Sequence, residues 1–441
     1  MGFPATVVQM ADVGNSARQP VIESSVSVKR LLLLIPTTTY RTEDFVEAAR
    51  KLDVDLVIAS DRPNVMSAEF PDHLLTLSFS EPESAAKEIG RFAERRPLDA
   101  VVPVDDLTTE VAAAIGQRLG LRANPIGAVS ATRNKLRMRE LLARSGAPSP
   151  AFTSWSVGED PRGAARRVSY PCVLKPLVLS ASRGVIRADN EPEFVAAFER
   201  IRAILRSPEV SDLGEGTDRI LVEAFIPGTE VALEGLLEEG RLHTLALFDK
   251  PDPLDGPFFE ETIYVTPSRL PEPASAAIRA ATARAASALG LDDGPVHAEL
   301  RVNQDGRGRD TAWMIEIAAR SIGGLCSRTL SFGTGMSLEE IILRHALSLP
   351  IASLERDRRA AGVMMIPIPQ GGILEEVQGL DEARAVPLIE DVTISIHKGQ
   401  VVVPLPEGSR YLGFIFSRAD TPAEAEAALR RAHAQLRFVI R

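Results

Sequence analysis

The sequence predicts a multidomain protein of α/β and α+β units, on three observations. The chain is 441 residues long, too long for one ordinary hydrophobic core, so about three domains are expected. Its first part alternates short apolar runs with amphipathic helical stretches, the pattern of parallel strands joined by crossover helices. Further along, two apolar runs of period two flank a turn from Asn303 to Asp310 rich in Gly, Asp and Asn. They read as a hairpin with Glu299 and Glu316 side by side on one face.

Composition narrows the class. The apolar and charged fractions are those of a soluble globular protein, and the formal net charge of −10 argues against a general nucleic-acid surface. An anionic ligand would have to be held by locally placed Lys and Arg. Cys172 and Cys326 lie far apart in apolar surroundings, without zinc spacing, which suggests a reducing, cytoplasmic compartment and no disulfide framework. The longest early apolar run, Leu31–Pro36, is too short for a membrane span or a signal sequence. Residues 1–28 read as a mostly polar, flexible leader. Its first six residues formally fit a myristoylation pattern, but no basic patch or second lipid signal accompanies them.

Residues 29–125 read as a Rossmann-like domain, with strands over 29–36, 55–60 and 99–103 and helices over 42–52, 82–96 and 108–119. The turn after the first strand is Pro-Thr-Thr-Thr-Tyr rather than Gly-x-Gly-x-x-Gly, so a dinucleotide cofactor is unsupported. A second unit spans 126–350, with a small lobe at about 150–222. In it an amphipathic helix over 134–142 carries Lys135. A strand ending in Lys175 runs into the small-residue loop Leu177–Val185, where Ser180, Ser182 and Gly184 let backbone amides approach a polyphosphate. No Gly-Lys-Ser/Thr follows, so this is not a Walker loop. After a helix over 191–206, one strand leads to Glu223, a Pro-Gly turn follows, and a second strand begins at Glu230, with Glu234 on the same face. A strand over 242–249 ends at Lys250. Residues 252–259 read as a mobile loop. An alanine-rich helix over 271–289 precedes the hairpin, and another helix covers 337–348. Residues 351–441 read as a small α+β domain, with strands over 362–369, 392–398 and 412–417 and a helix over 421–436.

The hairpin carries the chemistry. Alternation from Glu316 places Ala318 and Arg320 on its face, followed by Gly323-Gly324. Paired carboxylates, an arginine and free amides suit Mg²⁺ bridging phosphate oxygens below a transferring phosphoryl group. The plainer alternative is two strand carboxylates facing water. His297 shares the face of Glu299 and is either a substrate contact or a hydrogen-bonded core histidine.

The order and spacing of Lys135, Lys175 with its loop, Glu223 and Glu230 around a Pro-Gly turn, and Glu299, Glu316 and Arg320 resemble the ATP-grasp superfamily. Within it the chain is similar, over residues 30–441, to the carboxylate–amine ligases of the L-amino acid ligase type. The resemblance implies a two-lobed ATP-grasp centre clamping ATP, with Mg²⁺ or Mn²⁺ as metal. It implies Lys135, Lys175, Ser182 and Gly184 on the phosphates, and Lys250 at the terminal one. Glu223 and the backbone near Phe225 and Ile226 would meet the adenine edge, and Glu230 the ribose hydroxyls. Glu299 and Glu316 would hold metal, Arg320 would stabilise the phosphoryl group, and His297, Gly323 and Gly324 would face substrate. The chain departs from the family in carrying Ala318 where Asn is frequent, and Ala181 where Gly is usual. The implied reaction activates a small-molecule carboxylate as an acyl phosphate and couples it to an amine, releasing ADP and phosphate. Neither nucleic acid nor membrane is involved, and a homodimer is expected. Two other readings stay open. One is a biotin-carboxylase-like or purine-pathway ligase, although no Met-Lys-Met biotin acceptor is present. The other is a non-catalytic nucleotide-binding protein in which Ala318 marks a decayed site.

Overall fold

The computed structural model describes residues 28–64, 66–67, 69–211, 216–304, 306 and 308–441. The leader expected over 1–28 therefore lies, apart from Val28, outside the described residues.

The N-terminal unit is a four-stranded parallel sheet in the order Leu74–Thr76, Asp55–Ser60, Arg30–Leu34, Ala100–Pro103. Leu31, Leu32, Leu33 and Leu34 are all fully buried, because a parallel strand packed on both faces needs a continuous apolar run. Leu32 and Leu34 pack with Ile89, Val111 and Ile115 of the unit's own helices. Leu31 and Leu33 instead join the core that contains Ile341 and Phe414. One strand thus belongs to two cores and fixes this unit against the rest of the chain.

The small lobe is an antiparallel sheet in the order Phe152–Ser156, Arg219–Ala224, Cys172–Pro176, Ile186–Ala188. The helix Glu191–Leu205 covers it. Asn190 caps that helix through its side chain, and Phe194, Phe198, Ile201 and Leu205 form the buried stripe at helical spacing.

The centre is an eight-stranded sheet in the order Asp310–Ala318, Gly294–Gln304, Thr229–Glu238, Arg241–Asp249, Ile263–Thr266, Ala360–Ile366, Gly413–Ala419, Ile389–Ile394, every pair antiparallel. Its last three strands lie beyond residue 350, so the sheet runs straight through the point where a third unit was expected to begin. The helix Glu272–Leu289 buries Ile278, Ala281 and Ala285 against Val231, Leu233, Ala298, Leu300 and Met314 on one face of this sheet. The other face carries the polar residues.

The loop over 252–259, expected to be mobile, is tied down instead. Leu254 is buried and its carbonyl accepts from Arg301, while Arg187 Nη1 donates to the Asp255 carbonyl at 2.7 Å. Pro and Gly marked the irregular backbone correctly, but they carry no information about distant arginines that anchor it.

Candidate active site

Sheet register builds the site in rows. Glu299 stands directly across from Glu316 on one neighbouring strand and from Ala232 on the other. The adjacent row is Glu234, His297 and Ala318, and Glu230 lies across from Arg301. Because side chains alternate along a strand, Val231, Leu233, Ala298 and Leu300 turn to the helix. Glu230, Glu234, His297, Glu299 and Arg301 turn to the opposite face.

Lys250, at the end of its strand, is the centre of charge. Its ammonium meets Glu230 at 3.0 Å, Glu261, and Glu299 at 3.4 Å. Glu230, Glu261 and Glu299 bring carboxylate oxygens within 4.8 Å of one another, and the lysine ties these like charges together. Burial by itself lowers the Lys250 pKa, but the surrounding carboxylates outweigh it and hold the ammonium well above its usual range. Burial raises Glu299, and Lys250 with His297 more than reverses that, leaving it well below the usual carboxylate range. Glu261 goes the other way, raised by burial and by the neighbouring Glu299.

On the small-lobe side Lys135 starts a helix capped by Asn134. Its Nζ donates to the Leu179 carbonyl at 2.7 Å and lies 3.4 Å from Glu316. Lys175 pairs with Glu223 at 2.8 Å. The Glu223 carboxylate is also held by Arg139 at 2.5 Å and is only 2 % exposed. Both of its oxygens are thus engaged, one by Arg139 and the other by Lys175. Glu230 is likewise engaged, by Lys250 and by Arg301 at 3.0 Å. The Ile226 carbonyl accepts from Arg301 at 2.9 Å, and Arg301 and Arg187 stack on Phe225.

The phosphate-type loop turns through left-handed backbone at Ala181, Ser182 and Gly184. A Cβ on Gly184 would come within 2.7 Å of Pro176 Cγ, so this glycine is required sterically. Its amide, expected to face a polyphosphate, donates instead to the Pro406 carbonyl of the C-terminal part at 2.9 Å. Ser182 remains half-buried in the turn.

Arg320 was expected to continue the strand of Glu316, but that strand ends at Ala318. Arg320 reaches the site from the loop beyond, where its Nε and Nη2 hold Asp106 of the N-terminal unit at 3.0 and 2.7 Å. Asp106 opens the helix Asp106–Leu119, so the N-terminal unit supplies a carboxylate to the site. Glu316 is among the charges that raise the Arg320 pKa against its burial. Gly323 is open on its Cβ side, whereas a Cβ on Gly324, at φ +60°, would meet Phe414 at 3.0 Å. His297 is buried, with Nδ1 3.1 Å from Glu234 and Nε2 3.6 Å from Glu299.

Sequence reasoning missed Asp106, Arg139, Arg301 and Glu261 as parts of the site. Arg139 lies four residues after Lys135 on one helix face, a spacing that could have linked them. Asp106 meets Arg320 across 214 residues, and no local pattern carries that. A cavity of about 460 Å³ between the small lobe and the C-terminal part, touching Arg183, Arg200, Val402 and Arg410, shares no lining residue with the carboxylate cluster.

Known proteins resemble this chain in three successive stretches. Residues 46–122 match the ATP-grasp N-terminal domain, 168–329 the ATP-grasp domain, and 364–441 the L-amino acid ligase C-terminal domain 2. The alanine–anticapsin ligase of Bacillus subtilis (strain 168) is 26 % identical over 354 residues, covering 77 % of this chain and 74 % of that one. The crystal structure of an L-amino acid ligase from Bacillus licheniformis superimposes with a TM-score of 0.78 at 29 % identity, covering 94 % of this chain and 99 % of the other. N5-carboxyaminoimidazole ribonucleotide synthetase from Thermotoga maritima shares the fold, with a TM-score of 0.66 at 17 % identity over 94 % of this chain and 100 % of that one. With the paired carboxylates, the strand-end lysines and all three domain matches in chain order, the protein belongs to the ATP-grasp superfamily, as an ATP-dependent ligase of the L-amino acid ligase type.

Proposed function

We propose that the protein joins the carboxylate of one amino acid, or an acid resembling one, to the amino group of another, forming a dipeptide-type amide with release of ADP and phosphate. The observation that carries this is the register-fixed pair Glu299 and Glu316, flanked by Lys135, Lys250 and Arg320. The donor set fits a divalent cation. Two carboxylates face each other across one strand pair, and each already draws an ammonium to 3.4 Å. Mg²⁺ or Mn²⁺ held by Glu299 and Glu316 supplies charge neutralisation at phosphate oxygens.

The chain's own residues align and neutralise. Lys135 and Lys175 hold phosphate oxygens of ATP from the ends of a helix and a strand. The substrate carboxylate attacks the γ-phosphoryl group, whose oxygens Arg320 meets with the N–H groups left over by Asp106 and the Ser321 carbonyl. The amine then attacks the acyl carbon, phosphate leaves, and the Gly323 amide faces the oxyanion formed on the way. The match of residues 364–441 to the L-amino acid ligase C-terminal domain favours this over the carboxylase and purine-pathway alternatives. The co-location of Glu299 and Glu316 with Arg320 favours catalysis over nucleotide binding alone. A homodimer in the cytoplasm completes the proposal. The dimer rests on the family resemblance, and the compartment on the unpaired Cys172 and Cys326.

The test is ADP release with Mg²⁺ and an amino-acid mixture. Release that needs amino acids and ignores bicarbonate is expected; release that needs bicarbonate instead points to a carboxylase. Two substitutions sharpen it. Lys175→Ala removes a charge-assisted hydrogen bond in a closed cleft and should weaken ATP binding by about one to two orders of magnitude. Equal affinity of mutant and parent by calorimetry would count against Lys175 as a phosphate ligand. Glu316→Gln keeps shape and removes charge. It should raise the metal requirement at least as much as the roughly 10- to 100-fold lost with an outer-shell partner. Normal turnover at the parent's Mg²⁺ concentration would make Glu316 a structural carboxylate.

A further inference from the structure

We propose that Glu234 is a positioning residue for the ligase reaction, which through one carboxylate oxygen sets both the His297 ring beside Glu299 and the loop that carries Arg320 and Gly323. The inference rests on the ligase reading above and adds to it a residue without direct contact to any reacting group.

Glu234 lies mid-strand and is fully buried. Its Oε2 accepts the Ile322 N–H at 3.0 Å and lies 3.1 Å from His297 Nδ1. Its Oε1 has no hydrogen-bond partner among the described residues. A buried carboxylate with an orphaned oxygen costs free energy. Packing does not call for it, because Ala232 fills the preceding position on the same face. Local rules broken in this way cluster at working sites.

The two contacts show what the cost obtains. The Glu234 contact with Nδ1 orients the His297 ring so that Nε2 faces Glu299 Oε1, 3.6 Å away. His297 thus stands as the outer-shell partner of the metal-binding Glu299, and Glu234 is the group that orients it. Across the same row stands Ala318, whose methyl group leaves space for the ring where a longer side chain would compete. The second contact pins Ile322, two residues from Arg320 and adjacent to Gly323. Arg41 of the N-terminal unit holds the same loop through Ser321 Oγ at 2.7 Å, while Glu234 meets both the loop and the histidine. The metal side and the phosphoryl side of the site thus share one oxygen atom as a reference point.

Glu234→Leu removes both contacts, while Glu234→Gln offers an amide oxygen in the place of Oε2. Mn²⁺ binding in the presence of ADP, read by electron paramagnetic resonance, should weaken about 10- to 100-fold in E234L. Its melting temperature should fall, since the Ile322 N–H and His297 Nδ1 lose a buried partner, and its kcat per folded molecule should fall as well, even at saturating metal. E234Q should recover most of these losses. In E234L combined with His297→Gln, Mn²⁺ affinity should be no weaker than in His297→Gln alone. That single variant supplies the Mn²⁺ readout should E234L not fold. E234L with the parent's Mn²⁺ affinity and kcat overturns the proposal, as does a loss of melting temperature with unchanged turnover per folded molecule. Glu316→Gln, run alongside, separates the two levels. If it keeps the parent's Mn²⁺ binding, the underlying metal assignment is at fault rather than the role of Glu234.

Discussion

Arg320→Ala is expected to lower amino-acid-dependent ADP formation by about two to three orders of magnitude, the usual loss when an aimed donor is removed from a developing charge. ATP and metal should still bind, because Lys135, Lys175, Glu299 and Glu316 remain. The loss should fall on kcat, since the guanidinium's contacts strengthen as the phosphoryl group transfers. Arg320→Lys should restore only part of it. The structure adds a second effect. Arg320 holds Asp106 through two hydrogen bonds, so the variant should also melt at a lower temperature. Asp106→Asn separates the two, because it breaks the ion pair and leaves the arginine. If Asp106→Asn loses as much kcat as Arg320→Ala while both remain folded, Arg320 acts by joining domains and not on the phosphoryl group. A large gap in kcat at similar melting temperatures supports the direct role.

The largest loss of stability is expected from Glu223→Ala. Arg139 is 1 % exposed, and its Nη1 already lacks a partner among the described residues. Removing Glu223 leaves that guanidinium buried and uncompensated, at a cost of about 3–5 kcal/mol. The same group gives acid unfolding a recognisable shape. Burial raises the Glu223 pKa, but Arg139 and Lys175 outweigh it and hold it at about 2, against an ordinary value of 4.5. A carboxylate whose pKa is depressed by folding stabilises fully above its unfolded value and loses that contribution as pH falls through its folded value. The parent's melting temperature should therefore drop between about pH 4.5 and about pH 2 more steeply than that of Glu223→Gln. Parallel calorimetric profiles for the two proteins over that window would show that the cluster is not what titrates.

What the sequence revealed was what repeats locally. The Glu299–Glu316 pair followed from two-residue alternation around a turn, and register confirms it. Lys135, Lys175 and Lys250 stood out because each closes or opens a regular element. Strands of two or three residues, Leu74–Thr76, Ile186–Ala188 and Val401–Val402, went unread because such lengths hold no period. Arg320 was placed on the right side of the hairpin for an incomplete reason, since the strand ends at Ala318 and Asp106 draws the side chain from another unit. Glu223 and Glu230 stood out around the Pro-Gly turn, but their ion pairs with Arg139, Lys175, Lys250 and Arg301 did not. Which ion pairs form is decided by tertiary approach, and a linear chain does not display it.

The continuity of the central sheet bears on how the molecule is made. Ile263–Thr266 pairs on one side with Ala360–Ile366, which in turn pairs with Gly413–Ala419. While the ribosome has produced the carboxylate hairpin but not yet these later strands, Ile263–Thr266 is an open edge whose free backbone groups would accept any stray strand. The nascent chain therefore holds nearly every group needed for its chemistry for some time before it can seal the sheet that supports them. Whatever shelters it through that interval, a chaperone or its own N-terminal unit, has to cover that one edge.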